Sequence, residues 1–140
     1  MNTRTTVADL NQLAKGNMLE HLGIEITEAG NDYLCGKMPV DHRTTQPFGL
    51  LHGGASVVLA ETLGSIASNL LIDTGKQYAV GLEINANHIK SAKNGFVYGK
   101  AVIAHAGKRT HIWEVKISNE SNELVCISRL TVAIIDKPFA

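Results

Sequence analysis

Residues 46–72, QPFGLLHGGASVVLAETLGSIASNLLI, read as a loop running into one long apolar helix. A helix from about residue 54 to 72 is nearly 30 Å long at about 1.5 Å per residue, enough to cross a sheet. Its apolar residues occupy most of the circumference, the pattern of a helix buried on nearly all sides. The rest of the chain must therefore wrap it. Glu61 is the exception, a lone carboxylate among Val57, Val58, Leu59, Ala60, Leu63 and Ile66. Burying an ionised carboxylate without partners is costly, so Glu61 requires donors, a cation or a chemical role.

The flanking segments can do the wrapping. Residues 6–13 carry Val7, Leu10 and Leu13 at helical spacing with Asp9 in the first turn, and Asn17 with Glu20 has the spacing of a capping box. Segments 23–27 and 33–40 read as a hairpin turned by residues 29–32, with Pro39 ending the second strand or lying at an edge. Beyond the helix, segments 78–89, 96–104, 111–118 and 124–135 alternate as strands, with Asn94-Gly95 and residues 119–122 as hairpin connections. The expectation is α+β: an antiparallel meander around one central helix, as a single domain over residues 1–140 with a short helical segment in 1–22.

Charge narrows the function. Thirteen basic and thirteen acidic residues cancel and no basic stripe stands out, which argues against nucleic acid or an anionic membrane as partner. No apolar run of about 18 residues is uninterrupted, and the amino terminus lacks the apolar segment of a signal peptide, so a cytoplasmic location is expected. Cys35 and Cys126 fall in separate strands and read as small core residues. The six histidines form no HExxH or Cys/His cluster, so no metal is expected. A G-x-S-x-G elbow, a P-loop and a dinucleotide fingerprint are missing too.

Three features converge on the loop–helix junction. His52-Gly53-Gly54 places backbone N–H groups at the amino end of a long helix, where a developing oxyanion is stabilised; the alternative is that the glycines only permit close packing. Glu61 lies two turns on, with Ser65 at i+4, and suits a general base or nucleophile; the alternative is a structural acid satisfied by Ser65, backbone donors or a strand cation. Gln46 and His52 can donate to a carbonyl, or can simply serve the turn. Lys90, Lys108 and Arg109 sit at strand ends and turns as solvated cations or phosphate ligands.

The runs HRTTQPFGLLHGGASVVLAETLGS and VGLEINANHIKSA resemble the hotdog-fold acyl-CoA thioesterases. Within them the chain particularly resembles the 1,4-dihydroxy-2-naphthoyl-CoA hydrolases of menaquinone biosynthesis and the enterobactin proofreading thioesterases. The resemblance implies hydrolysis of an aromatic acyl-CoA thioester, with coenzyme A as part of the substrate and no cofactor. It implies Glu61 as the catalytic carboxylate, Gly53 as N–H donor to the thioester oxygen and Gln46 as the side chain positioning that carbonyl. His52 becomes a neighbour of the thioester, and Ser65 assists near the attacking water or acyl group. Coenzyme A contacts are implied for Gly81, for His88, Ile89, Lys90 and Ser91, and for His105, Lys108, Arg109 and Thr110. The family also implies homo-oligomers, a dimer of dimers with the active site shared between two chains. Carrier-protein thioesters are the alternative substrate. A hotdog dehydratase, which pairs a His with an acid, and a non-catalytic acyl-CoA binding module are the rivals.

Overall fold

A computed structural model describes residues 5–138; residues 1–4 of the expected amino-terminal segment lie outside it. Helix α1 (Val7–Gln12) starts at Thr6, whose hydroxyl accepts from the Asp9 N–H while the Asp9 carboxylate accepts from the Thr6 N–H. Helix α2 (Met18–Leu22) is capped by the Asn17 side chain, but the Glu20 carboxylate accepts from Gly16 N–H at 2.6 Å, so the expected box closes one residue early. Gly23 ends α2 in the left-handed region at φ 72°, so the first strand starts later than its apolar run suggests.

Strands β1 (Glu25–Ala29) and β2 (Tyr33–Pro39) form the expected hairpin. Helix α3 (Gly53–Leu71) follows, then β3 (Gln77–His88), β4 (Phe96–Ala106), β5 (Thr110–Ser118) and β6 (Leu124–Asp136). All six strands join one antiparallel sheet in the order β1-β2-β4-β5-β6-β3. It is not a simple meander, because β3 lies on the far edge beside β6. Asn94-Gly95 is accordingly not a hairpin turn: it ends a crossover that carries the chain from β3 to β4 beside β2, where Gly95, at φ 71°, accepts from Val40 N–H. The β5–β6 turn at residues 119–122 is the hairpin expected.

The sheet wraps α3, the hotdog arrangement. Leu59, Leu63, Ala60 and Ala67 on the helix and Leu34, Met38, Val97, Trp113, Val115, Leu130 and Val132 on the sheet are buried together. Gly36 and Gly99 let Leu63 and Leu59 close on the strand backbones. Only one side of α3 is buried. Val57, Val58, Glu61, Thr62, Ser65 and Ile66 are half-buried along the other flank, so all-round apolarity overstated the burial that one chain supplies. Cys126 lies in the core and Cys35 is half-buried; both are free thiols pushed above their ordinary pKa by burial.

Edge strand β3 breaks the alternation at a bulge between Gly81 and Glu83. The extra residue switches the inward side from Ala79 to Ile84 and Ala86. It also leaves Leu82 68% exposed, beside Tyr78 and Val80, each 41% exposed.

Candidate active site

The loop before α3 is held at both ends. The Thr44 hydroxyl donates to Pro39 O at 2.6 Å, His52 N–H donates to Thr44 O, Leu51 N–H to Ala92 O, and Thr45 bridges Leu51. Gly49, at φ 81°, turns the tip, which exposes Phe48. Within the turn the Gln46 side-chain oxygen accepts from Phe48 N–H at 2.5 Å. That bond commits the amide oxygen and leaves the NH2 group as the free end, a donor suited to a carbonyl.

His52 is the N-cap of α3, its Nδ1 accepting from Gly54 N–H at 2.8 Å. The remaining ring proton therefore belongs on Nε2. Ala55 and Ser56 donate to His52 O. Gly53 N–H has no acceptor among the described residues, which leaves one unpaired donor at the positive end of a 19-residue helix. The ring of His88 lies over this glycine: a Cβ there would stand 2.8 Å from His88 Nε2. Gly53 thus admits the ring of His88, at the end of β3, so close packing on the sheet is part of its role, and Gly54 admits the ring of His52.

Gln46, Gly53, His88, Ile89, Lys90 and Ser91 line one cleft of about 340 Å³. Ile89 and Lys90 are fixed there by N–H donation to Val125 O. The Lys90 ammonium lies 2.9 Å from Glu123, whose carboxyl it holds below the usual range together with Asn119. A phosphate reaching Lys90 has to compete with that exposed pair.

Glu61 faces a different cleft, of about 430 Å³, bounded by Met18 and Leu19 of α2 and by Val57, Val58, Ser65 and Ile66 of α3. No hydrogen bond or ion pair to its carboxylate occurs among the described residues. The structural alternatives, Ser65 or a strand cation, are therefore not realised. Gly81 on β3 is its neighbour, where a Cβ would meet Oε2 at 2.6 Å. Met18 and Leu19 carry no sequence signal for this place, because helical spacing cannot reveal which helix crosses another some forty positions away.

The expected site residues thus fall into two groups. Eight residues separate Gly53 from Glu61, about 12 Å along the axis. His105, Lys108, Arg109 and Thr110 lie with the Glu61 group: Thr110 and Val80 both pair with Ala133, whereas His88 pairs with Cys126, seven residues or about 23 Å along β6. Lys108 and Arg109 are exposed and pair with no carboxylate among the described residues. No cluster of His, Cys, Asp or Glu suited to a metal occurs among the described residues.

Comparison with known proteins shows what the chain as a whole is similar to. A family model described as thioesterase superfamily matches residues 48–126. The chain is 51% identical over 132 residues to 1,4-dihydroxy-2-naphthoyl-CoA hydrolase of Escherichia coli K12, covering 94% of this chain and 96% of that protein. It is 48% identical over 129 residues to the proofreading thioesterase EntH of Cronobacter turicensis, covering 92% and 93%. The crystal structure of thioesterase PA1618 from Pseudomonas aeruginosa, solved with a glutamine replaced by alanine, superposes with a TM-score of 0.95 at 44% identity, covering 97% and 98% of the two chains.

Proposed function

The chain belongs to the thioesterase superfamily, and from that premise we propose that it hydrolyses an aromatic acyl-CoA thioester, 1,4-dihydroxy-2-naphthoyl-CoA being the best candidate. The observation that carries the reaction is the pair of uncommitted groups on one helix. Gly53 N–H awaits an oxyanion and the Glu61 carboxylate awaits a proton or an acyl carbon.

In one route Glu61 takes a proton from water as its oxygen adds to the thioester carbon. In the other the carboxylate adds directly and gives a mixed anhydride, which water then cleaves. In both, the oxyanion forms against Gly53 N–H while the Gln46 NH2 group holds the carbonyl, and collapse expels the thiolate. A thiol of pKa about 8.5 leaves without strong acid assistance, so one carboxylate and these donors suffice. No cofactor enters, coenzyme A being part of the substrate.

The separation of the two groups calls for a second copy. β3 offers a free edge of 12 residues bearing Tyr78, Val80 and Leu82, and a two-fold axis near its middle sets the His88 end of one strand beside the Gly81 end of the other. Gly53 and Gln46 of one copy then face Glu61 of the second. Lys108 and Arg109 supply the charge for the coenzyme A phosphates, and the same reading puts the enzyme in the cytoplasm as a dimer of dimers.

The similarity to a proofreading thioesterase supports a second substrate, an aryl-carrier-protein thioester. Thiol release from aryl-CoA, aryl-carrier-protein and medium-chain acyl-CoA thioesters separates the readings. A higher kcat/KM on aryl-CoA is the expected result. Preference for the carrier protein selects the second reading, preference for aliphatic chains overturns the aromatic assignment, and tight binding without thiol release overturns hydrolysis.

A further inference from the structure

The contact between α3 and the sheet is almost wholly apolar, and such contacts carry little direction. Among the described residues only two α3 side chains hydrogen-bond to the sheet. Asn69 accepts from Ala79 N–H of β3 at 3.2 Å. Ser68, fully buried, meets two partners on β5: Trp113 Nε1–H donates to its Oγ at 2.6 Å, and His111 Nδ1 lies 2.9 Å from the same oxygen. Trp113 takes one lone pair of the hydroxyl oxygen, and where the neutral His111 ring carries its proton on Nε2 the hydroxyl hydrogen goes to Nδ1.

Ser68 lies seven residues beyond Glu61, two turns along nearly the same line of the helix. A roll of α3 at Ser68 is therefore a roll at Glu61, and a group about 6 Å from the axis moves about 1 Å for a roll of about 10°. A displacement of that size costs up to about a hundredfold in rate.

We infer that Ser68 and His111 are positioning residues: with Trp113 they fix the roll of α3, and hence the place of Glu61 beside Gly81, and the neutral imidazole is the form that holds them together. This rests on the reading that Glu61 carries the chemistry. A proton on Nδ1 would set a second donor against Ser68 and deprive its hydroxyl of an acceptor. The surroundings favour the neutral ring. His111 is 4% exposed, and burial first, then the charge of His105 on β4, push its pKa down. α3 beyond Glu61 carries no charge, and the core-facing residues of β6 beside the ring are Leu130, Val132 and Ile134. Lys108 and Arg109, the remaining charges before β5, lie exposed in the turn.

The test measures kcat and KM on benzoyl-CoA with melting curves. Ser68→Ala, folded, is expected to lose at least about tenfold in kcat with KM within about twofold. His111→Asn keeps an acceptor near the Nδ1 position and does not titrate. It should hold kcat within about twofold near pH 8, and the ratio of its kcat to that of the unmodified chain should rise as pH falls toward about 5. Normal kcat in folded Ser68→Ala, or a ratio independent of pH, overturns the inference. Should Ser68→Ala not fold, the His111→Asn ratio alone decides. Glu61→Gln runs beside them: full activity there overturns the chemical reading itself, whereas loss there with normal Ser68→Ala overturns only the positioning role.

Discussion

The Glu61 carboxylate rests against the backbone of Gly81, so closely that a Cβ on that glycine would stand 2.6 Å from Oε2. Gly81 is not in the left-handed region, and alanine fits its backbone there. Gly81→Ala is therefore expected to displace the carboxylate rather than unfold the strand. A loss of about ten- to a hundredfold in kcat with a melting temperature within a few degrees is the expected outcome, measured by thiol release and calorimetry.

Glu61→Gln keeps the volume and removes the charge. Since the carboxylate has no partner to lose among the described residues, stability should hold or rise slightly while kcat falls by about two to four powers of ten. Saturation kinetics on an aryl-CoA with thermal melting separate the two effects; near-normal turnover would exclude Glu61 as base or nucleophile.

How far these residues were legible depends on the range of their signals. Helix α3 could be read because its 19 residues carry a continuous apolar record with one charge. Its half-buried flank could not be read, since all-round apolarity does not say whether the sheet, α2 or a second copy covers each side. Asn94-Gly95 misled for a related reason: the dipeptide reports a local turn, while strand order is set by packing between distant segments. Gly53 and Glu61 stood out by type and spacing, whereas Gln46 gained a role only through the family resemblance, since a glutamine in a turn is ordinary by itself. Ser68 and His111, 43 positions apart, and Met18 opposite Glu61 have no periodicity in common, and only the folded chain joins them.

Gln46 has two duties, and substitution can divide them. Its oxygen secures the Phe48 turn, and its NH2 group is left uncommitted in a residue that lines the cleft. Gln46→Glu preserves an acceptor for Phe48 but removes the donor, whereas Gln46→Ala removes both. Both variants should lose about ten- to a hundredfold in kcat/KM, as expected when a buried carbonyl contact is lost, and only Gln46→Ala should loosen the loop, seen as faster amide exchange at Phe48.

Stability should depend on pH through His111. Its pKa is lowered in the folded chain by burial and by His105, so below the ordinary imidazole value of about 6.5 the unfolded chain binds the proton more readily. The stability from the neutral ring is present above that value and lost as pH falls from there through the lowered folded value. His111→Asn should remove this slope. Melting temperatures at a series of pH values from about 8 to 5 check it, and identical slopes in the two proteins would contradict the assignment.

If Gly53 and Gln46 of one copy act with Glu61 of the second, two inactive chains should repair each other. In a dimer of one Glu61→Gln chain and one Gln46→Ala chain, one site carries both substitutions and the other carries neither. Random exchange at equal concentrations makes about half of the dimers mixed, each with one intact site of two, so about a quarter of full activity should return. A site formed within one chain returns none. The same pairing predicts that Leu82→Arg, on the exposed apolar edge of β3, gives a folded monomer by light scattering that has lost turnover although its Glu61 and Gly53 are unchanged; an active monomer would place both half-sites within one chain.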